Sequence, residues 1–404
     1  MSGALAGVRV VEISSVVMGP WAGQMLGDMG ADVIKVEPLT GDITRNMGPA
    51  RHPGMASSFL NLNRNKRSLA LDISNPAGLE ALKRLLADVD VMLHNLRPQA
   101  AAKLGLERER LLEAFPRLIA CEAFGFARGG PLSEKAAYDD IIQAASGLVD
   151  LQAGMIGSPR FLPTIAVDKG AAHNITTAIC AALFRRERTG RGQAIEVPMF
   201  ECTVDNVMIE HLHGATFDPP IGLMGSPRLL SADRRPYATL DGFLAVLPYN
   251  DTHWKRLLEI AGRGELWNDP RVATHALRIE NSDWLHGLLA EIVATRTTRD
   301  WVDALEKADI PVMRINTKES LLDDEQLHAS GFWHFYEHPT EGRIRRNNPP
   351  IRFSESPSSF RRAPPRLGEH TEEVLLSVGF SKAQVAEMHA TGVVRCNRTQ
   401  SQIC

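Results

Sequence analysis

The chain has 404 residues, 44% of them hydrophobic, and carries 45 Lys and Arg against 48 Asp and Glu for a formal net charge of -3. That length buries a large core in two domains or one elaborate one, and the near-neutral balance excludes a general polyanion binder, so no nucleic-acid partner is expected. No apolar run approaches the ~18 residues that cross a bilayer, and the start, MSGALAGVRVVEISS, has no basic stretch ahead of an apolar core, which points to a cytoplasmic protein with no membrane partner.

In chain order, Val8 to Ile13 reads as a strand, Pro20 stands near a helix start, and Val33 to Val36 is a second strand, giving a β-α-β unit. Gly19, Gly23 and Gly27 recur every four residues and so share one helix face, where missing side chains admit a close backbone or a ligand. The spacing is not the G-x-G-x-x-G fingerprint, and despite Glu37 at the end of the second strand no nicotinamide cofactor is expected. A similar unit follows: SLALDIS as a strand, a helix capped by Asn75 with Pro76 at its first position, and VMLHNL as a strand. Such alternation argues for a parallel sheet covered on both faces, with ligands beyond the carboxyl ends of its strands. The loops of interest are then Ser14 to Gly19, Glu37 onward, Asn95 to Pro98, and the stretch after Phe124.

NLNRNKRS clusters Arg64, Lys66 and Arg67 at a strand entrance, readable either as a solvated loop or as a phosphate-binding surface. Gly125, Gly129, Gly130 and Pro131 describe an open loop, and Tyr138-Asp139-Asp140 opens a short helical run ending at Gly147. Asp168 then starts a helix whose residues Ala171, Ile175, Ala178 and Ala182 form one buried face. Arg185, Arg186 and Arg188 gather at its negative end, Thr189-Gly190 stops it, and Gln193 to Met199 reads as a strand. Asp168 fits an N-cap or a reactive group, and the helix dipole should hold it ionised at neutral pH.

From about residue 205 the pattern changes to a hairpin around Asp241-Gly242 and helical stretches near 251-262, 282-295 and 298-308. The Pro-rich segment NNPPIRFSESPSSFRRAPPRLGEH reads as a crossing back to the first domain or to a partner subunit, ahead of a final helix at 371-379. The expected division is 1-204, 205-325 and a return segment, 326-404. Cys121, Cys180, Cys202, Cys396 and Cys404 are scattered as free thiols are, with no metal-ligand pairing, and the sequon Asn397-Arg398-Thr399 matters only in a secreted protein. There is no G-x-S-x-G and no H-E-x-x-H, and His173 has no acid partner at helical spacing, so carboxylates and backbone amides are the chemical resources.

LAGVRVVEIS, GADVIKVEP, NLNRNKRSLALDI, HNLRPQAAAKLGL, YDDIIQAASG, RTGRGQAIEVPMFE, PYATLDGF and LGEHTEEVL together resemble the class III coenzyme A transferases and the related 2-methylacyl-CoA racemases, from Leu5 to about Val394. The resemblance implies an α/β fold: a Rossmann-like large domain with a parallel sheet, built from both chain ends, plus a smaller α+β domain, in an interlocked homodimer. It puts the catalytic aspartate on Asp168 and implies covalent transfer of CoA from an acyl-CoA donor to a free carboxylic acid, through aspartyl anhydride and aspartyl-CoA thioester intermediates. CoA is a cosubstrate, with no permanently bound cofactor and no metal. By the same likeness CoA contacts Val17, Leu62, Asn63, Lys66, Arg67, Asn95, Leu96 and Lys103. The racemases carry a histidine where this chain has Tyr138, and a tyrosine with a reference pKa near 10 is a poor base at neutral pH, so transfer is favoured over racemisation. An inactive CoA-binding protein is the third reading, opposed by the intact Asp168. Arg128, inside a loop that departs from the commoner glycine pattern, is a candidate for a second substrate carboxylate, and Tyr138 a candidate substrate contact.

Overall fold

The computed structural model describes residues 3-397; Cys404 and the Arg398-Thr399 part of the sequon lie outside them. The chain forms two compact units: one runs up to Ser146, takes in Leu162–Val204 and resumes at Gln326, and the other comprises Gly147–Phe161 and Asp205–Glu325. The division expected from the sequence puts 147-161 in the first stretch instead. The Leu148–Ile156 helix there buries no residue, so it adds nothing to the large unit's core.

The large unit is built on β1 (Arg9–Ile13), β2 (Asp32–Glu37), β3 (Lys66–Leu71), β4 (Val91–His94), β5 (Ile119–Phe124) and β6 (Gln193–Pro198). They lie parallel in the order β3-β2-β1-β4-β5-β6, and Val394–Arg395 adds an antiparallel strand outside β3. Four of the six strands, β2 to β5, are buried at almost every position, as expected when helices cover both faces. The chain leaves β1 toward one side and β4 toward the other, so their carboxyl ends diverge. That divergence opens a crevice where an open α/β sheet takes its ligand.

Helix Met18–Asp28 packs on this sheet through its glycine face. A Cβ on Gly23 would lie 2.1 Å from Glu12 Oε2, and one on Gly27 would lie 3.0 Å from Asn65 Cβ. The glycines therefore admit a buried carboxylate and a neighbouring segment of the chain itself. Helix Ala166–Thr189 buries Ala171, Ile175, Ile179 and Ala182, and ends at Gly190, whose φ of 71° and N–H to the Arg186 carbonyl make a left-handed cap. The Pro-rich return belongs to the large unit: the Asn65 amide donates to the Arg362 carbonyl, and Arg45 donates to the Pro365 carbonyl. A hairpin, Trp333–His338 with Gly342–Asn347, precedes it and was not read from the sequence.

In the small unit, Tyr237–Ala238 and Phe243–Val246 pair around Asp241-Gly242, and Val312–Arg314 completes a three-stranded sheet. Amphipathic helices Asp251–Ile260, Ser282–Val293 and Thr298–Lys307 give its core Trp254, Leu257, Leu289 and Trp301. Among the described residues, no helix is long and apolar enough to cross a membrane.

Candidate active site

A cavity of about 330 Å³ lies at the β1/β4 divergence. Its walls are Ser15, Val16 and Met18 after β1, Asn95, Leu96, Arg97 and Ala100 after β4, Phe124 and Gly125 at and after the end of β5, Ser133, Lys135, Ala136, Ala137 and Tyr138, and Met199, with Asp168 among them.

Asp168 is the third residue of its helix; Ile165 holds the cap position and makes no side-chain cap. The sequence reading of Asp168 as the first or capping residue is therefore corrected. Capping comes from a distance: Asp139 Oδ1 accepts the amides of Val167 at 2.8 Å and Asp168 at 3.0 Å. Gln143 holds the other Asp139 oxygen, while its own carbonyl accepts the Leu162 amide at 2.8 Å. The YDD motif thus serves the helix of Asp168 as well as its own.

This arrangement reverses the expected charge behaviour. Asp168 is 8% exposed, and burial, joined by the Asp139 carboxylate, pushes its pKa from 3.8 up to about 7. Burial and a like charge outweigh the dipole, whose effect of ~0.3–1 kcal/mol is below one pKa unit. Near neutrality Asp168 is then a mixture of carboxylic acid and carboxylate.

Of the expected CoA contacts, Asn95 and Leu96 line this cavity, as does Tyr138, which is 67% exposed. Val17, the residue before helix Met18–Asp28, is buried between two lining residues. The others stand elsewhere. Leu62, Asn63, Lys66 and Arg67 are not in the lining, and the basic cluster is neither solvated nor open to a phosphate. Lys66 is fully buried, donating to the Pro20 carbonyl at 2.6 Å and Asn63 Oδ1 at 2.7 Å, and paired with Glu12 at 2.8 Å. Burial, countered by Glu12 and aided by Lys35, brings its pKa down to about 8. Arg67 pairs with Asp32 and Glu373, and Arg64 with Asp28 at 2.7 Å. Lys103 is exposed and outside the lining. Arg128 closes a two-point pair on buried Glu122, at 2.8 and 3.1 Å, with its guanidinium 5.4 Å from the Phe124 ring centroid; it does not line the cavity.

The sequence reading missed two cations that do line it, Arg97 and Lys135, each in a loop already singled out. It also missed Val16, which adopts φ of 71°. For a β-branched residue the left-handed region costs roughly 1–2 kcal/mol, and such strain gathers at functional sites.

Comparisons with known proteins give the chain a family. Residues 5-371 match the model of CoA-transferase family III. A succinate–glutarate CoA-transferase of Agrobacterium fabrum is 34% identical, covering 92% of this chain and 94% of that one. A formyl-CoA:oxalate CoA-transferase of Bradyrhizobium sp. is 31% identical, covering 98% of each. A crystal structure of a CAIB/BAIF family protein from Brucella suis superposes with a TM-score of 0.77 at 32% identity, over 94% of this chain and 100% of that one. An aspartate at the crevice of a doubly wound sheet, and likeness to such enzymes across nearly the whole chain, place the protein as a CoA-transferase in CoA-transferase family III.

Proposed function

We propose that the enzyme moves CoA between an acyl-CoA and a free carboxylic acid through covalent intermediates on Asp168. The observation that carries this reading is a single buried carboxylate, set at the crevice by a helix start and by Asp139, in a cavity whose other ionisable groups are Arg97, Lys135 and Tyr138. Ionised Asp168 attacks the donor thioester carbonyl and expels the CoA thiolate, leaving a mixed anhydride. The thiolate returns to the aspartyl carbonyl and releases the donor acid. The acceptor carboxylate then displaces CoA from the aspartyl thioester, and the thiolate attacks the acceptor carbonyl of the second anhydride. Each step exchanges one acyl bond for another, so no step needs ATP.

Arg97 and Lys135 supply positive charge for the CoA phosphates at the cavity mouth. The relatives named for succinate, glutarate, formyl and oxalate substrates make short dicarboxylic acids the first acceptors to try, with succinyl-CoA as donor. The likeness also favours a homodimer, to be checked by sedimentation. Racemisation is disfavoured because it needs a second base opposite Asp168, and no histidine lines the cavity among the described residues. Mass spectrometry of the CoA pool tests the choice: new acyl-CoAs made from added acids and absent with Asp168→Ala support transfer, whereas α-deuteration in heavy water without new thioesters supports racemisation.

A further inference from the structure

The loop Ser14–Met18 forms one wall of the Asp168 cavity, and its middle residue, Val16, sits at φ 71°. Val16 is β-branched, so its own preferences oppose that conformation. What holds it lies behind the loop. Lys35 Nζ donates to the Ser14 carbonyl at 2.8 Å. Asn95 closes a ring on Ser15, its Oδ1 accepting the amide at 3.2 Å and its Nδ2 donating to the carbonyl at 3.0 Å. Asp42 Oδ1 accepts the Val16 amide at 3.4 Å and the Thr44 amide at 2.9 Å, while its Oδ2 pairs with Lys35 at 2.9 Å. Three successive residues, Ser14 and the lining residues Ser15 and Val16, are therefore gripped by side chains from β2, from the loop after β2 and from the loop after β4.

Lys35 and Asp42 do not belong to the cavity lining, and Lys35 is wholly buried, as is its second partner, Glu12. The ammonium groups of Lys35 and Lys66 and the carboxylates of Glu12 and Asp42, enclosed together, are costly to desolvate, and apolar residues of similar shape are often as stable. A reason for their presence is direction: charged hydrogen bonds fix carbonyls and amides more sharply than packing does.

We propose that Lys35, Asp42 and Asn95 form a positioning clamp that holds Val16 in its left-handed conformation and so sets the Ser14–Met18 wall for reaction at Asp168. The proposal rests on the CoA-transfer reading. Lys35 and Asp42 act only through the loop; the clamp moves no proton and makes no bond to substrate.

The test is rescue by glycine, which adopts positive φ without help. In Asp42→Asn either amide orientation turns an N–H donor toward Lys35 or toward the Val16 and Thr44 amides, so one side of the clamp fails. The expected result is a fall in kcat of at least about tenfold, with KM for acyl-CoA within about threefold, and recovery of most of the loss in the double variant D42N/V16G. Should D42N fold poorly, N95A, a change at a half-buried position, carries the same prediction and the same rescue. A role of these residues in stability or ligand contact alone would not be relieved by removing the Val16 side chain. Either single variant keeping its kcat within about twofold, or V16G restoring neither, overturns the clamp. Crystal structures of D42N and N95A decide independently of activity: Val16 should leave the positive-φ region, and Val16 remaining near its present conformation overturns the proposal. A wild-type protein that transfers no CoA to any acid instead counts against the CoA-transfer reading, and the Val16 geometry still decides the clamp.

Discussion

Replacing Asp168 by asparagine should stabilise the protein, and increasingly so as the pH rises. Burial and Asp139 raise the folded-state pKa of Asp168 from 3.8 to about 7, so the folded chain holds this proton more tightly than the unfolded chain does. For a group raised in this way, its contribution to stability is intact below pH 3.8 and is lost as the pH climbs to about 7. At ~1.36 kcal/mol per unit, the accumulated loss reaches about 4 kcal/mol in alkaline solution, and about 2 kcal/mol of it accrues between about pH 5.5 and pH 8.5. The asparagine amide cannot titrate and escapes this loss. Urea or thermal unfolding of both proteins at the two pH values should therefore show the advantage of D168N growing by about 2 kcal/mol, or roughly 4 °C in a domain of this size. An advantage constant within about 0.5 kcal/mol across that range refutes the perturbed aspartate, and with it the effect of Asp139.

The same shift governs catalysis: attack needs ionised Asp168, so the transfer rate should rise with pH through about 7, and Asp139→Asn, removing one of the two causes, should move that limb to lower pH. A limb unmoved by D139N contradicts the assignment. Arg97→Ala and Lys135→Ala should each raise KM for acyl-CoA roughly tenfold, worth ~1.4 kcal/mol, with kcat little changed; the penalty should shrink in high salt, and a KM unaffected by both changes removes them from the CoA site. Arg128→Met should destabilise the protein by about 3 kcal/mol by taking from the buried Glu122 carboxylate its two-point partner and leaving only His94, 3.7 Å away, beside it, with no change in acceptor KM. Recovery of stability in E122Q/R128M would confirm the cause, and a raised acceptor KM at unchanged stability would return Arg128 to substrate recognition.

Much of the large unit was legible because its strands are short runs rich in Val, Ile, Leu and Ala and its helices carry clear caps and stops, as at Asn75-Pro76 and Gly190. The hairpin at 333-347 was not, since nearly all its positions are half-buried or exposed and the second strand carries Arg343, Arg345 and Arg346, so it offers little apolar alternation. At the site, periodicity left Asp168 between cap and reactant, and only the family resemblance singled it out. Spacing could not reveal that Asp139, 29 residues upstream, supplies the capping oxygen. The basic letters of NLNRNKRS misled for a related reason. Their partners Glu12, Asp28 and Asp32 lie on β1, on the following helix and at the start of β2, so burial of Lys66 and Arg67 appears only once the sheet is assembled. Arg97 and Lys135 were within reach, because each lies in a loop that follows a strand's carboxyl end.

The most direct test of CoA transfer through Asp168 follows an oxygen atom. In the proposed sequence the acceptor carboxylate attacks the aspartyl thioester, and when CoA departs on the acceptor's carbonyl, one acceptor oxygen remains on Asp168. The protein should be turned over with succinyl-CoA and a short dicarboxylic acid labelled with oxygen-18, then digested and the peptide containing Asp168 weighed. Transfer through Asp168 predicts a new acyl-CoA together with heavy oxygen on Asp168, both absent in Asp168→Ala. Formation of the new acyl-CoA with Asp168 left unlabelled would contradict it.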